Sequence, residues 1–194
     1  MTSAKPARII VNIVGLPGSG KSTICAYLQK TQSFELYRPS DALRAYAKAN
    51  NRPLNRRQDY INCHRAMVAQ DPDAMIQPVL HSSADKICID GLRAPSSTKK
   101  LQEIYGAVCI ILDCPIEKRF ANVQKDPHRS GHRSQATLEQ FQADELPDYH
   151  NDDPNLPSMD GIVAIADYRV NSNRPLKEVC QEIDKIIAGL QSAS

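Results

Sequence analysis

A chain of 194 residues carries 24 lysines and arginines against 22 aspartates and glutamates, a formal net charge of +2. That balance gives no general drive toward nucleic acid or an anionic membrane, so any recognition of phosphate has to be local. The length suits one α/β domain, 1–194, with a well-buried core, and no apolar run approaches the roughly 18 residues of a membrane span.

The first element is a run of β-branched residues, Ile9, Ile10, Val11, Ile13 and Val14, which reads as a buried strand. It ends at Gly15-Leu16-Pro17-Gly18-Ser19-Gly20-Lys21-Ser22, a full match to G-x-x-x-x-G-K-[ST]. Glycines let this backbone curl with its N–H groups turned inward, a nest for phosphate oxygens, and a helix starting near Lys21 adds its positive end. Gly15, Pro17, Gly18, Ser19, Gly20, Lys21, Ser22 and Thr23 are therefore the candidate contacts to a nucleoside triphosphate. Lys21 would reach the β/γ-phosphates and Ser22 would ligate magnesium.

Further along, residues 34–38 read as a short strand, and Pro39-Ser40-Asp41 opens a helix capped by Ser40 or Asp41. Helical patterns follow at about 55–70 and 73–84, with Pro78 in the middle of the second. Lys86–Asp90 is a strand ending in a carboxylate, Pro95 starts a helix that Gly106 stops, and residues 107–113 form a third apolar strand. Helices over about 115–125 and 137–146 flank a break at 126–134; a polar, proline-bearing stretch then runs to Leu156. Tyr168–Val170 is a last short strand, and 175–190 an amphipathic helix with Val179, Ile183, Ile186 and Ile187 on one side. Alternating β and α elements predict one doubly wound parallel sheet, whose ligands sit at the carboxyl ends of the strands.

That rule selects three groups. Asp90, at a strand end, reads as part of a magnesium shell or as a turn cap, and Arg93 as a phosphate fork or a solvated arginine. Asp41 and Arg44, three residues apart, read equally as an acceptor-activating pair or as a local helix pair. Arg129 and Arg133 flank Gly131 in a segment, about 126–135, that reads as a short lid over transferring phosphates or as a plain basic surface loop, and Arg119 would face the nucleotide. His128 and His132 have the spacing of zinc ligands, but Gly131 argues against a helix there and no third ligand lies nearby. The six cysteines show no C-x-x-C or zinc-type spacing and read as reduced, buried thiols. With residues 1–8 lacking the apolar centre of a secretory leader, a cytoplasmic protein is expected. A GTPase switch is excluded by the absence of N/T-K-x-D and D-x-x-G.

Gly15–Ser22, Asp41-Ala42-Leu43-Arg44, Asp90-Gly91-Leu92-Arg93 and the Arg129/Arg133 segment together resemble the nucleoside monophosphate kinase superfamily. The likeness is nearest to small kinases described as dephospho-CoA-kinase-like or adenylate-kinase-like, with Ala143-Asp144-Glu145-Leu146 and Ala166-Asp167-Tyr168-Arg169-Val170-Asn171 as later matches. It implies a three-layer α/β fold with a five-stranded parallel sheet of order 2-3-1-4-5, an acceptor-binding helical section at about 40–85 and the lid. It further implies transfer of a phosphoryl group from ATP, with Mg²⁺, to a nucleoside monophosphate or a dephospho-CoA-like acceptor. Lys21, Asp41, Arg129 and Arg133 would be catalytic, Ser22 and Asp90 would hold the metal, and Asp41, Arg44 and Arg93 the acceptor. Asn171 and its neighbours would line the adenine site. Two departures stand out: Ala143 takes the place of an arginine, and the acidic 151–157 stretch is longer than the connection expected there. An ATP-binding module with little kinase activity is the competing reading.

Overall fold

The computed structural model describes residues 8–55, 57–126 and 137–192. The expected lid with Arg129 and Arg133, and also Arg56, lie outside them. The described residues contain five strands: β1 (Ile9–Val14), β2 (Glu35–Tyr37), β3 (Lys86–Asp90), β4 (Val108–Asp113) and β5 (Tyr168–Asn171). They form one sheet in the order β2-β3-β1-β4-β5, and every pairing is parallel. This is the expected topology.

Helices cover both faces of the sheet, which is why β1 is buried along its whole length and reads as an unbroken apolar run. Successive side chains of β1 alternate between two cores. Ile9, Val11 and Ile13 pack with helix α1 (Lys21–Gln32) and with Val179, Ile183 and Ile187 of the last helix, α9 (Leu176–Ser192). Ile10 faces the other way, into a core shared with α2 (Pro39–Ala49), α3 (Arg57–Gln70) and α5 (Pro95–Tyr105). All six cysteines are buried and none forms a disulfide.

Several local expectations are corrected. Helix α2 has Arg38 at its N-cap and Pro39 at its start, and no side chain caps it, so Ser40 and Asp41 are inside the first turn. Over 73–84 only Gln77–His81 (α4) is helical. Asp71 disrupts the preceding turn by accepting from the Asp73 amide (2.9 Å) and the Gln77 side chain (2.9 Å), and Pro78 begins the helix instead of interrupting it. After β4 come α6 (Ile116–Gln124) and α7 (Leu138–Tyr149), the latter opened by a capping box between Thr137 and Gln140. A helix absent from the sequence reading, α8 (Met159–Ile165), follows, with Ser158 capping the amide of Gly161.

The 151–157 stretch folds on itself through carboxylate and amide turns: Asn151 accepts from the Asp153 amide, and Asp153 from that of Asn155. Leu156 is wholly buried in the α2–α3–α5 core. Backbone bonds from Ser96 to Pro154 and from Ser158 to Arg93 tie the stretch to the loop after β3.

Candidate active site

Strand β1 delivers the chain into the glycine loop, and α1 starts immediately after it. Gly18 and Gly20 both have positive φ, +81° and +92°, and Gly20 is the N-cap of α1. Positive φ turns successive amides toward one point, the nest geometry. The loop is held from behind. A Cβ on Gly15 would come within 2.9 Å of the Leu112 carbonyl, and one on Gly18 would overlap the carbonyl of Arg119. The Asn122 amide donates to the Gly18 carbonyl (2.9 Å), and the buried Arg119 guanidinium to the carbonyls of Cys114 and Pro17. Lys21 Nζ donates to the Leu16 carbonyl at 3.2 Å, folding the ammonium back over the loop.

The end of β3 meets this loop because Ile13 and Asp90 are partners in the β1–β3 ladder. Ser22 Oγ donates to Asp90 Oδ2 at 3.1 Å. A hydroxyl and a carboxylate this close suit a hard cation such as Mg²⁺, which keeps most of its waters and needs few protein oxygens. Among the described residues no group of three or more His, Cys, Asp and Glu is placed to hold a metal. Arg38 Nε lies 3.8 Å from Asp90 Oδ2. Asn12, a polar residue in the middle of an apolar strand, is 2 % exposed; its side chain donates to the Leu92 carbonyl (2.8 Å) and accepts from the Leu92 amide (3.2 Å). This pair of bonds fixes the loop carrying Arg93. Gly91 takes φ +86° beside the Lys21 side chain.

Two cavities open on either side of Lys21, which lines both. One, about 460 Å³, runs from Gly18–Ile24 past Asn122 and Lys118 to Ser172 and Arg174. The other, about 270 Å³, lies between β3, α2 and α3 and includes Ser40, Tyr60, His64, Asp90, Arg93 and Pro157. His64 is buried, and burial together with Arg93 pushes its pKa down to about 4 against the opposing pull of Asp153. The imidazole is thus neutral at physiological pH.

A family model described as AAA domain matches residues 14–142, from the end of β1 through the loop and the 270 Å³ cavity into α7. The chain belongs to this AAA-domain family. It is 24 % identical over 185 residues to a UPF0200 protein of Pyrobaculum aerophilum, with 94 % of this chain and 98 % of that protein aligned. To UMP-CMP kinase 3 of Arabidopsis thaliana it is 26 % identical over 114 residues, 56 % of each chain. Among solved structures, the shikimate kinase of Acinetobacter baumannii in complex with shikimate superposes with a TM-score of 0.59 at 12 % identity, over 95 % of both chains. The fold of this AAA-domain chain is therefore the P-loop kinase fold, as the sequence implied.

Within the AAA-domain chain, Gly15, Pro17, Gly18, Ser19, Gly20, Lys21, Ser22, Thr23, Asp90 and Arg93 converge on the two cavities. Asp41 and Arg44 do not. They are exposed on α2 and paired with each other at 2.6 Å, while Ser40 and Leu43 of the same helix line the cavity. Arg119 is a correction: it does not line the nucleotide-side cavity, because the residue is 5 % exposed beneath the loop and its guanidinium is ion-paired with Glu145 of α7. Of the stretch expected at the adenine site, Asn171 is exposed and accepts from the Asn173 amide (2.9 Å), while its neighbours Ser172 and Arg174 line the larger cavity. Sequence reasoning missed Arg38, Asn12, His64 and Asn122. Only Asn12 carried a signal, an amide in an otherwise apolar strand.

Proposed function

We propose that this protein is a small-molecule kinase that moves the terminal phosphoryl group of ATP, with Mg²⁺, onto an oxygen of a small acceptor. The observation that carries this reading is Lys21 standing between two cavities, since transfer requires a donor and an acceptor to meet at one phosphate. The larger cavity, continuous with the glycine loop, would take ATP; the smaller one, with Arg93, would take the acceptor. In this reading the loop amides and Lys21 hold the phosphate oxygens, and Arg93 holds an anionic group of the acceptor. Ser22 and Asp90 would hold Mg²⁺, which supplies charge neutralisation on the phosphates when bound. The P–O bond to ADP breaks as the acceptor oxygen bonds phosphorus; a hydroxyl acceptor passes its proton to solvent, and a phosphate acceptor has none to lose.

Acceptors named by the relatives differ, a pyrimidine nucleotide in one and shikimate in another. Nucleoside monophosphates and dephospho-CoA-like molecules remain the acceptors proposed from the sequence, with hydroxylated acids beside them. The test is ADP release from ATP–Mg²⁺ in the presence of AMP, CMP, UMP, dephospho-CoA, gluconate or shikimate, each alone. Stimulation well above buffer by one of them is the expected outcome. ATP binding without stimulation by any of them overturns the kinase reading in favour of a nucleotide-binding module.

A further inference from the structure

The strand order sets three polar side chains in a row along the carboxyl edge of the sheet. β3 lies between β2 and β1, with Ile89 paired to Tyr37 on one side and Asp90 to Ile13 on the other. Asp90 therefore has the β2–α2 junction, which carries Arg38, on one flank and the glycine loop on the other. Both flanks reach the same atom: Ser22 Oγ donates to Asp90 Oδ2 at 3.1 Å, and Arg38 Nε stands 3.8 Å from it. The Asp90 side chain is 9 % exposed and that of Arg38 45 %. The carboxylate is thus the fixed member of the ion pair. The guanidinium, on a long stem with water on its outer side, is the member able to give way.

This row poses a charge problem for a cation at Ser22 and Asp90. The two residues offer one carboxylate and one hydroxyl, and Arg38 already offsets the carboxylate. Lys21 adds a further positive charge in the walls of both cavities. Among the described residues no group of three or more His, Cys, Asp and Glu supplies more acceptors. A divalent ion arriving alone meets a net positive surrounding and an oxygen already engaged, and like charges a few ångströms apart repel strongly where water is partly excluded. A triphosphate in the loop reverses the sign of that surrounding and gives the guanidinium other oxygens to face.

We propose that Arg38 is a positioning residue for the metal: its guanidinium holds Asp90 Oδ2 against free divalent cations and yields it when the phosphates of a bound nucleotide bring the cation with them. The inference rests on the kinase reading, which assigns Mg²⁺ to Ser22 and Asp90, and deepens it by making metal entry conditional on nucleotide. Arg38 acts through Asp90.

Mn²⁺ is the probe, since the EPR signal of the free ion falls on binding. Wild type, Arg38→Met, Arg38→Gln, Arg38→Lys and the double variant Arg38→Met with Asp90→Asn are titrated without nucleotide and with β,γ-imido ATP. Without nucleotide, Arg38→Met binds Mn²⁺ about tenfold or more tighter than wild type, and with the analogue the two agree within about threefold. Arg38→Gln, equally neutral, follows Arg38→Met and carries the test alone if the methionine variant does not fold. Arg38→Lys, which keeps the charge, stays close to wild type, and Asp90→Asn cancels the gain of Arg38→Met. Neutral variants that bind free Mn²⁺ no tighter than wild type overturn the inference, and so does Arg38→Lys matching them, since charge would then not be the cause. In both cases Mn²⁺ bound by the wild type with the analogue leaves the kinase reading intact. Absence of Mn²⁺ binding by the wild type with the analogue overturns the metal assignment of that reading, and this inference with it.

Discussion

Gly18 and Gly20 share a left-handed backbone but have opposite surroundings. A methyl group on Gly20 meets nothing within 4 Å, whereas one on Gly18 overlaps the Arg119 carbonyl. Gly20→Ala should therefore cost only the strain of its φ, about 1 kcal/mol, and Gly18→Ala several times that, with nucleotide affinity falling in the same order. Urea unfolding and titration with ATP check both. His64 gives a pH signature. Its folded pKa of about 4 lies below the ordinary 6.5 because burial, and then Arg93, oppose its protonation while Asp153 favours it. Above pH 6.5 the ring is neutral in both states; below it the unfolded chain binds a proton that the folded chain refuses. Stability from this residue is thus lost as pH falls toward 4, by roughly 2 kcal/mol at pH 5. Unfolding at pH 7 and pH 5 should show this loss in wild type and not in His64→Leu. Lys21 and Ser22 were legible in the sequence because a short local motif specifies their geometry. His64 was not, because its significance depends on β3 and the 151–157 stretch meeting α3.

At the level of elements, α6 and α7 are joined beneath the loop by the buried pair of Arg119 and Glu145. Removing one partner leaves an uncompensated charge, so Glu145→Ala should lower stability by about 3–5 kcal/mol. Replacing both, as in Arg119→Met with Glu145→Leu, should cost much less than the sum of the single changes, which a double-mutant cycle in urea measures. On the exposed side, Asn122→Ala removes one bond to the Gly18 carbonyl and should raise the KM for ATP severalfold while leaving Tm nearly unchanged. Glu145 lies in the helix whose Ala143 looked like a missing catalytic arginine; its buried partner could not be seen because 26 residues separate them. The same limit hid the fold of the acidic stretch, whose Leu156 anchors in a core otherwise built from residues 10–107. Strand order and the apolar face of α9 were legible, since each depends on a periodic pattern within one segment.

For the molecule as a whole, the sheet separates an α1–α9 core from an α2–α3–α5 core, and both cavities open at its carboxyl edge. A ligand bound there stabilises the folded state by mass action. Nucleotide at a hundred times its Kd should add about 2.7 kcal/mol, a rise in Tm of some 5–10 °C for a chain of this size. A thermal melt across ATP concentrations reads this directly, and a flat response would remove the donor site. The way α6 presses on Gly18 also bears on descent. A lineage that had abandoned phosphoryl transfer would still retain Gly15 and Gly18, because the Leu112 and Arg119 carbonyls leave no room for a side chain at either place. Lys21 and Ser22 are under no such compulsion from the interior, so it is their persistence, and not that of the two glycines, which separates working descendants from idle ones.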